Sequence, residues 1–154
     1  MRTLLLRACG LSLAAALCLS AADPMLGAWK LNLAKSKYDP GPAPKSMTSA
    51  YSADGDWVVI KTEGVDSAGK PFSSTNKYKR DGKEYPWKTN TVEAMITTKL
   101  VDSHRAAFTM KRDGKVVSST ETTISKNGKI RTATSEGTNA DGKKFKNVTV
   151  FDRQ

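Results

Sequence analysis

The residues able to do chemistry are few in this chain, and they stand far apart. His104 is the single histidine; it follows Asp102-Ser103 in a stretch of turn character, where a solvated loop residue is its plain role. A zinc site needs several nitrogen, sulfur or carboxylate ligands converging on one point. The two cysteines, Cys9 and Cys18, both fall within the first 22 residues, which read as a removable leader. The remaining chain therefore offers no thiolate ligand, disulfide or cysteine nucleophile. A histidine-based triad would need a placed nucleophile and an acid, and neither Gly-x-Ser-x-Gly nor a similar strand-to-helix elbow occurs. Two carboxylates suffice for glycoside hydrolysis. Asp54, Asp81, Asp113 and Asp141 each precede a glycine and are explained by turn geometry, while Glu63, Glu93 and Glu121 fall on predicted outward faces. Glu136, on the face of Ile130, Thr132 and Thr134, is the one acid expected to point inward. No phosphate-cradling glycine loop or dinucleotide fingerprint is present. The residues predict no enzyme, no cofactor and no metal.

Binding is the other chemistry on offer. The predicted inward faces mix apolar anchors with short polar groups, and the candidate ligand-binding residues are Trp29, Tyr51, Tyr78, Trp87, Phe108, Met110 and Thr120. Leu100, Val116 and Ile130 are expected on the same inward faces, as are Ser74, Asn76, Thr98, Ser118, Thr122, Thr132 and Thr134. In a dry core each unpaired hydroxyl costs about 1–3 kcal/mol. A hydrated cavity satisfies such groups with water and leaves room for a small, partly apolar molecule. The alternative is that the faces of the later strands are reversed, with the threonines outside. Tyr78-Lys79-Arg80 and the stretch 83–88 set aromatics among basic residues, a faint version of a base-stacking surface. Export from the cytoplasm argues against nucleic acid as the partner.

Short strands joined by tight turns must position these residues. Glycine follows Asp or Asn at 54–55, 81–82, 113–114, 127–128 and 141–142, and such pairs accept the positive φ angles of hairpin corners. The last three corners leave two 12-residue stretches between them, rich in the Val, Ile and Thr that favour strands. Alternation agrees: Val58, Ile60 and Thr62 stand against Lys61 and Glu63, and Ala94, Ile96, Thr98 and Leu100 against Glu93 and Lys99. No stretch after the leader shows helical spacing. About nine or ten strands are predicted, at 26–33, 47–53, 57–64, 71–79, 84–89, 92–101, 105–112, 115–125, 129–137 and 144–152. Between the first two, Pro40, Pro42 and Pro44 break any ladder, so residues 35–45 read as an extended connection over one end of the molecule, in the position of a lid. Hairpin corners make an antiparallel up-and-down meander. Strands of this length wrap readily when tilted around a closed barrel, which also removes exposed edges.

The N-terminus bounds the compartment. Arg2 and Arg7 precede the apolar run Leu11–Leu19, and Ser20-Ala21-Ala22 supplies the small residues of a cleavage site. The run is too short to span a membrane. Residues 1–22 are expected to be a signal peptide cut after Ala22, and 23–154 a single barrel domain, secreted or periplasmic. A cysteine-free exported domain points to a bacterial envelope. The leader's two arginines are its only charges, so its loss takes the net charge from +10 to +8. The lysines are scattered, which favours a solvated surface and a monomer. The second reading is a filled barrel, a structural or interaction protein of the envelope whose basic surface contacts anionic polymers.

Gly27-Ala28-Trp29 at the head of the first strand resembles the Gly-x-Trp of lipocalins and fatty-acid-binding proteins, and Gly27–Leu31 is especially similar to the start of the latter. The resemblance implies a barrel closed at one end by Trp29, with a cavity for a small apolar ligand. Fatty-acid-binding proteins also carry an Arg-x-Tyr carboxylate clamp on the final strand; Val148-Thr149-Val150-Phe151 here has neither residue. The chain also resembles a group of uncharacterised secreted bacterial proteins across nearly its whole exported length. Its marks are Trp29-Lys30-Leu31-Asn32, Lys35-Ser36-Lys37, Pro42-Ala43-Pro44, Asp81–Pro86 and the ending Phe151-Asp152-Arg153-Gln154.

Overall fold

The computed structural model describes residues 23–139 and 141–154; the expected signal peptide at 1–22 lies outside the described residues. Ten strands follow one another: β1 Gly27–Leu31, β2 Ser46–Asp54, β3 Trp57–Val65, β4 Pro71–Tyr78, β5 Asp81–Lys88, β6 Glu93–Asp102, β7 Arg105–Arg112, β8 Lys115–Ile124, β9 Ile130–Thr138 and β10 Lys144–Arg153. All neighbours pair antiparallel in the order β4-β3-β2-β1-β10-β9-β8-β7-β6-β5, a meander rolled into a nearly closed barrel. Among the described residues the one helical element is a single 3-10 turn, Leu33–Lys35.

Local chemistry explains the corners. Asp113 and Gly114 both take positive φ, 50° and 74°, as a two-residue corner between paired Arg112 and Lys115 requires. Asp81-Gly82 departs from the expectation of a corner. The chain has already turned at Lys79-Arg80, and Asp81, Gly82 and Lys83 form a bulge within β5, where the register slips between Asp81 and Glu84. The bulge is held by the Lys83 amide, which donates to the Asp81 carboxylate at 3.0 Å.

The proline-rich connection also departs from its expected place. After the 3-10 turn the chain resumes pairing beside β10, with a bridge between Lys37 and Val148 and the Lys146 amide donating to the Asp39 carbonyl. Ser36 Oγ accepts from the Val150 amide at 2.9 Å. The segment extends the wall that the short β1 leaves incomplete.

One end of the barrel is sealed. Trp29 is fully buried among Met25, Leu31, Ala106, Ile124 and Phe151, and its indole N–H donates to the Met25 carbonyl at 3.2 Å. The Arg153 guanidinium lies 4.2 Å from the Trp29 ring centroid and donates to the carbonyls of Gly128, Leu26 and Pro24. Asp23 pairs with Arg80 beside it. Gly27 is required in this arrangement. Its φ is +111°, and an added Cβ would stand 2.5 Å from the Arg153 guanidinium nitrogen.

The remaining gap lies between β4 and β5, which share no ladder. Asn76 bridges it. Its Nδ2 donates to the Lys88 carbonyl at 2.9 Å, and its Oδ1 accepts from the Lys88 amide at 2.8 Å. A side-chain amide thus takes the place of a missing peptide pair. Asn76→Ala leaves both Lys88 groups without partners and is expected to cost about 2 kcal/mol, with faster hydrogen exchange confined to β4 and β5. Arg153→Leu strips three carbonyls of a donor, and thermal unfolding should show a loss of about 2–4 kcal/mol; Gly27→Ala is expected to act in the same direction.

Candidate ligand-binding cavity

The end opposite Trp29 is open. A cavity of about 710 Å³ enters the barrel there, bordered by the β3–β4 turn with Asp66 and Lys70 and by Thr89, Asn90 and Thr91 of the β5–β6 turn. Nothing from residues 32–45 lines it, so the expected lid is part of the wall. A second inner chamber, of about 160 Å³, adjoins it along β5–β8. Tyr51, Ile60, Trp87, Thr120 and Arg131 line both spaces. Below them lies a second apolar cluster of Val58, Ile60, Tyr78 and Ile96, in which the Tyr78 and Phe108 rings meet edge to face at 5.8 Å. Burial pushes the Tyr78 hydroxyl well above the ordinary tyrosine value.

Five of the seven candidate residues meet in this space: Tyr51, Trp87 and Thr120 on the shared wall, and Phe108 and Met110 in the inner chamber. Trp29 and Tyr78 instead make up the floor, 0% and 1% exposed. The inner wall carries hydroxyls in pairs, Ser49 with Thr62 at 3.0 Å and Thr120 with Ser135 at 2.8 Å. Cross-strand pairing thus satisfies much of what a dry core would have left unbonded. Thr98 and Thr122 are different. Both are fully buried, and neither hydroxyl has a partner among the described residues.

Strand β9 overturns its predicted face. Ile124 pairs with Arg131 and Thr122 with Ala133, so Arg131, Ala133 and Ser135 line the cavity. Ile130, Thr132 and Thr134 therefore take the outer face, and Glu136 pairs outside with Lys146 at 3.7 Å, 65% exposed. No inward carboxylate exists on this strand. The physical reason is register: the turn at 126–129, closed by the Ser125 amide donating to the Ile130 carbonyl at 2.8 Å, sets position 124 opposite 131, and an inward Ile124 carries Arg131 inward with it. Leu100 and Val116, also expected inside, are 39% and 58% exposed: Leu100 lies close to the end of β6, and a register slip between Met110 and Lys111 sets Val116 opposite Lys111, off the face of Met110 and Ser118.

Arg131 is the cavity-lining residue that apolar alternation misses. The signal that finds it is the pairing arithmetic from the Asn127-Gly128 corner. Its side chain is 8% exposed, with the guanidinium carbon 4.7 Å from the Tyr51 ring centroid and 4.9 Å from that of Phe151. Among the described residues it forms no ion pair. Two aromatic rings are its neighbours in place of an acid. Among the described residues no three His, Cys, Asp or Glu side chains gather to hold a metal.

No family model matches the chain, and no curated protein matches it by sequence. Among solved structures, it is similar to the zebrafish ileal bile acid-binding protein complexed with cholic acid. The TM-score is 0.56 at 15% identity, over 85% of this chain and 99% of that one. The likeness is one of fold: both are β-barrels. In this barrel Trp29 seals one end. The inward positions of the final strand are Thr149 and Phe151, and the interior cation comes from β9 instead.

A buried cation without a counter-ion costs stability. Arg131→Met keeps an unbranched stem against Tyr51 and Phe151 and removes the charge. The melting temperature of the empty protein is expected to hold or rise; a fall of more than about 2 kcal/mol in unfolding free energy would show the guanidinium to be a structural strut.

Proposed function

We propose that this chain is an exported, non-catalytic binding protein that takes a small, partly apolar molecule into the open end of its barrel. The cavity carries this reading. Its 710 Å³ lies within the range of about 300–1,000 Å³ of small-molecule sites, and aromatic walls with paired hydroxyls suit a ligand of mixed polarity. The fold neighbour, a bile acid-binding protein complexed with cholic acid, supports it. Export is supported by Arg2, Arg7, the apolar run and Ser20-Ala21-Ala22. Asp23 and Met25 already belong to the folded floor, in keeping with cleavage after Ala22 and a secreted or periplasmic monomer. The alternative, a basic surface serving anionic envelope polymers, draws on the net charge, +10 for the full chain and +8 once the two leader arginines are removed.

A neutral lipophilic dye, Nile red, separates the two. The chain from residue 23 onward is expected to take up one dye with blue-shifted emission. Ser74→Trp, which fills the cavity near its mouth, should weaken uptake at least tenfold at an unchanged melting temperature. Salt-sensitive retention on lipopolysaccharide or peptidoglycan with no dye uptake would contradict the cavity reading and support the surface one.

A further inference from the structure

We propose that cutting after Ala22 and closing the sealed end of the barrel exclude one another. The cut comes first, and residues 23–26 then fold into the floor as a plug. The proposal rests on the export reading above and adds the order of the two events and the residues that enforce it.

The first residues past the expected cut are built into the folded domain. The Leu26 amide donates to the Asp23 carbonyl at 3.1 Å, which closes a turn. The Met25 amide donates to the Asp23 carboxylate at 2.8 Å and tightens it. Met25 is 4% exposed and packs with Trp29, Ile124 and Phe151. Every carbonyl of the turn has a donor. Beside the Asp23 carbonyl, that of Met25 accepts from the Trp29 indole, and those of Pro24 and Leu26 accept from the Arg153 guanidinium. The Asp23 carboxylate also pairs with Arg80, whose side chain is 14% exposed. Arg80 forms no other ion pair among the described residues.

A peptidase that reads a segment of chain holds it extended, its backbone groups paired with the enzyme's own. Here the residue just past the bond opens a turn, and the carbonyls it would offer are taken. Extending residues 23–26 pulls Met25 out of the floor and breaks the Asp23–Arg80 pair. It also strips Arg153 of two of its three carbonyl acceptors and the Trp29 indole of its acceptor. That opening is a local unfolding, and cleavage that waits on it is slowed by the small fraction of molecules open at any moment. The exclusion runs the other way as well. While residues 23–26 are held extended at the cut, the floor lacks Met25 and Arg80 lacks its partner, so the sealed end stays unfinished until release.

The test presents the full chain to a purified bacterial signal peptidase in detergent, once folded and once diluted from urea directly into the enzyme. Loss of residues 1–22 is followed by mass. The unfolded chain is expected to be cut after Ala22, and the folded chain at least about a hundredfold more slowly. The ratio of the two rates is the readout, because the peptidase's own preference around the bond acts on both states alike. Met25→Ala and Arg80→Met should each lower the ratio about tenfold or more, with the strand signal in circular dichroism unchanged. Asp23→Asn keeps an oxygen for the Met25 amide and loses the ion pair, and should lower the ratio by a smaller factor. A folded wild-type chain cut as fast as the unfolded one, or a ratio that none of the three substitutions moves, overturns this proposal and leaves the export reading standing. An unfolded chain that is not cut after Ala22 overturns the export reading, and this proposal falls with it.

Discussion

An antiparallel sheet of ten strands rolled on itself encloses more volume than its own inner wall can fill when that wall is built from small residues. Here Ser49, Thr62, Ser74, Thr120, Ala133 and Ser135 line the cavity beside a few larger side chains, Met47, Phe72 and Trp87 among them. The most deeply buried large side chains gather toward the other end, in a cluster with Met25, Trp29, Ile124 and Phe151 and a second with Val58, Tyr78 and Ile96. This uneven distribution decides everything else. The floor and the ladders provide the stability, and the sparsely filled half provides the space. The barrel must then be kept from collapsing along its one unpaired seam, a task that falls to the Asn76 amide.

Within that space Arg131 stacks on Tyr51 and Phe151, where a cation over an aromatic face gains about 0.5–2 kcal/mol, and it lines the cavity from β9. Contrast Arg153 at the sealed end, whose guanidinium donates to three backbone carbonyls and whose role is structural. Two arginines, each beside an aromatic ring, differ in one respect: one has its donors satisfied by the chain, and the other has its donors facing a cavity.

The architecture was legible in the sequence because corners and alternation are local. Asp113-Gly114 and Asn127-Gly128 mark tight corners whatever surrounds them, and the ten strands lie within a few residues of their predicted spans. Asp81-Gly82 shows the limit, since a glycine at positive φ serves a bulge as readily as a corner, and only the partner strand tells them apart. The face of β9 was misread for a related reason. Ile130 is apolar and Arg131 charged, so hydropathy sends the wrong one inside. Register, which follows from Asn127-Gly128, sends in the right one. Asn76 and Arg153 were beyond reach because their roles are long-range, joining strands whose approach no short window of sequence reveals. Five of the seven candidate residues came to the cavity, whereas Trp29 and Tyr78 are packed away from it, 0% and 1% exposed.

The most direct test of a barrel interior that receives a small, partly apolar molecule is to locate one inside it. Bound Nile red, followed by NMR, should show nuclear Overhauser contacts to Met47, Phe72 and Trp87 of the cavity wall. Contacts confined to outward residues such as Ile130 and Thr132, or none at all, would contradict the account.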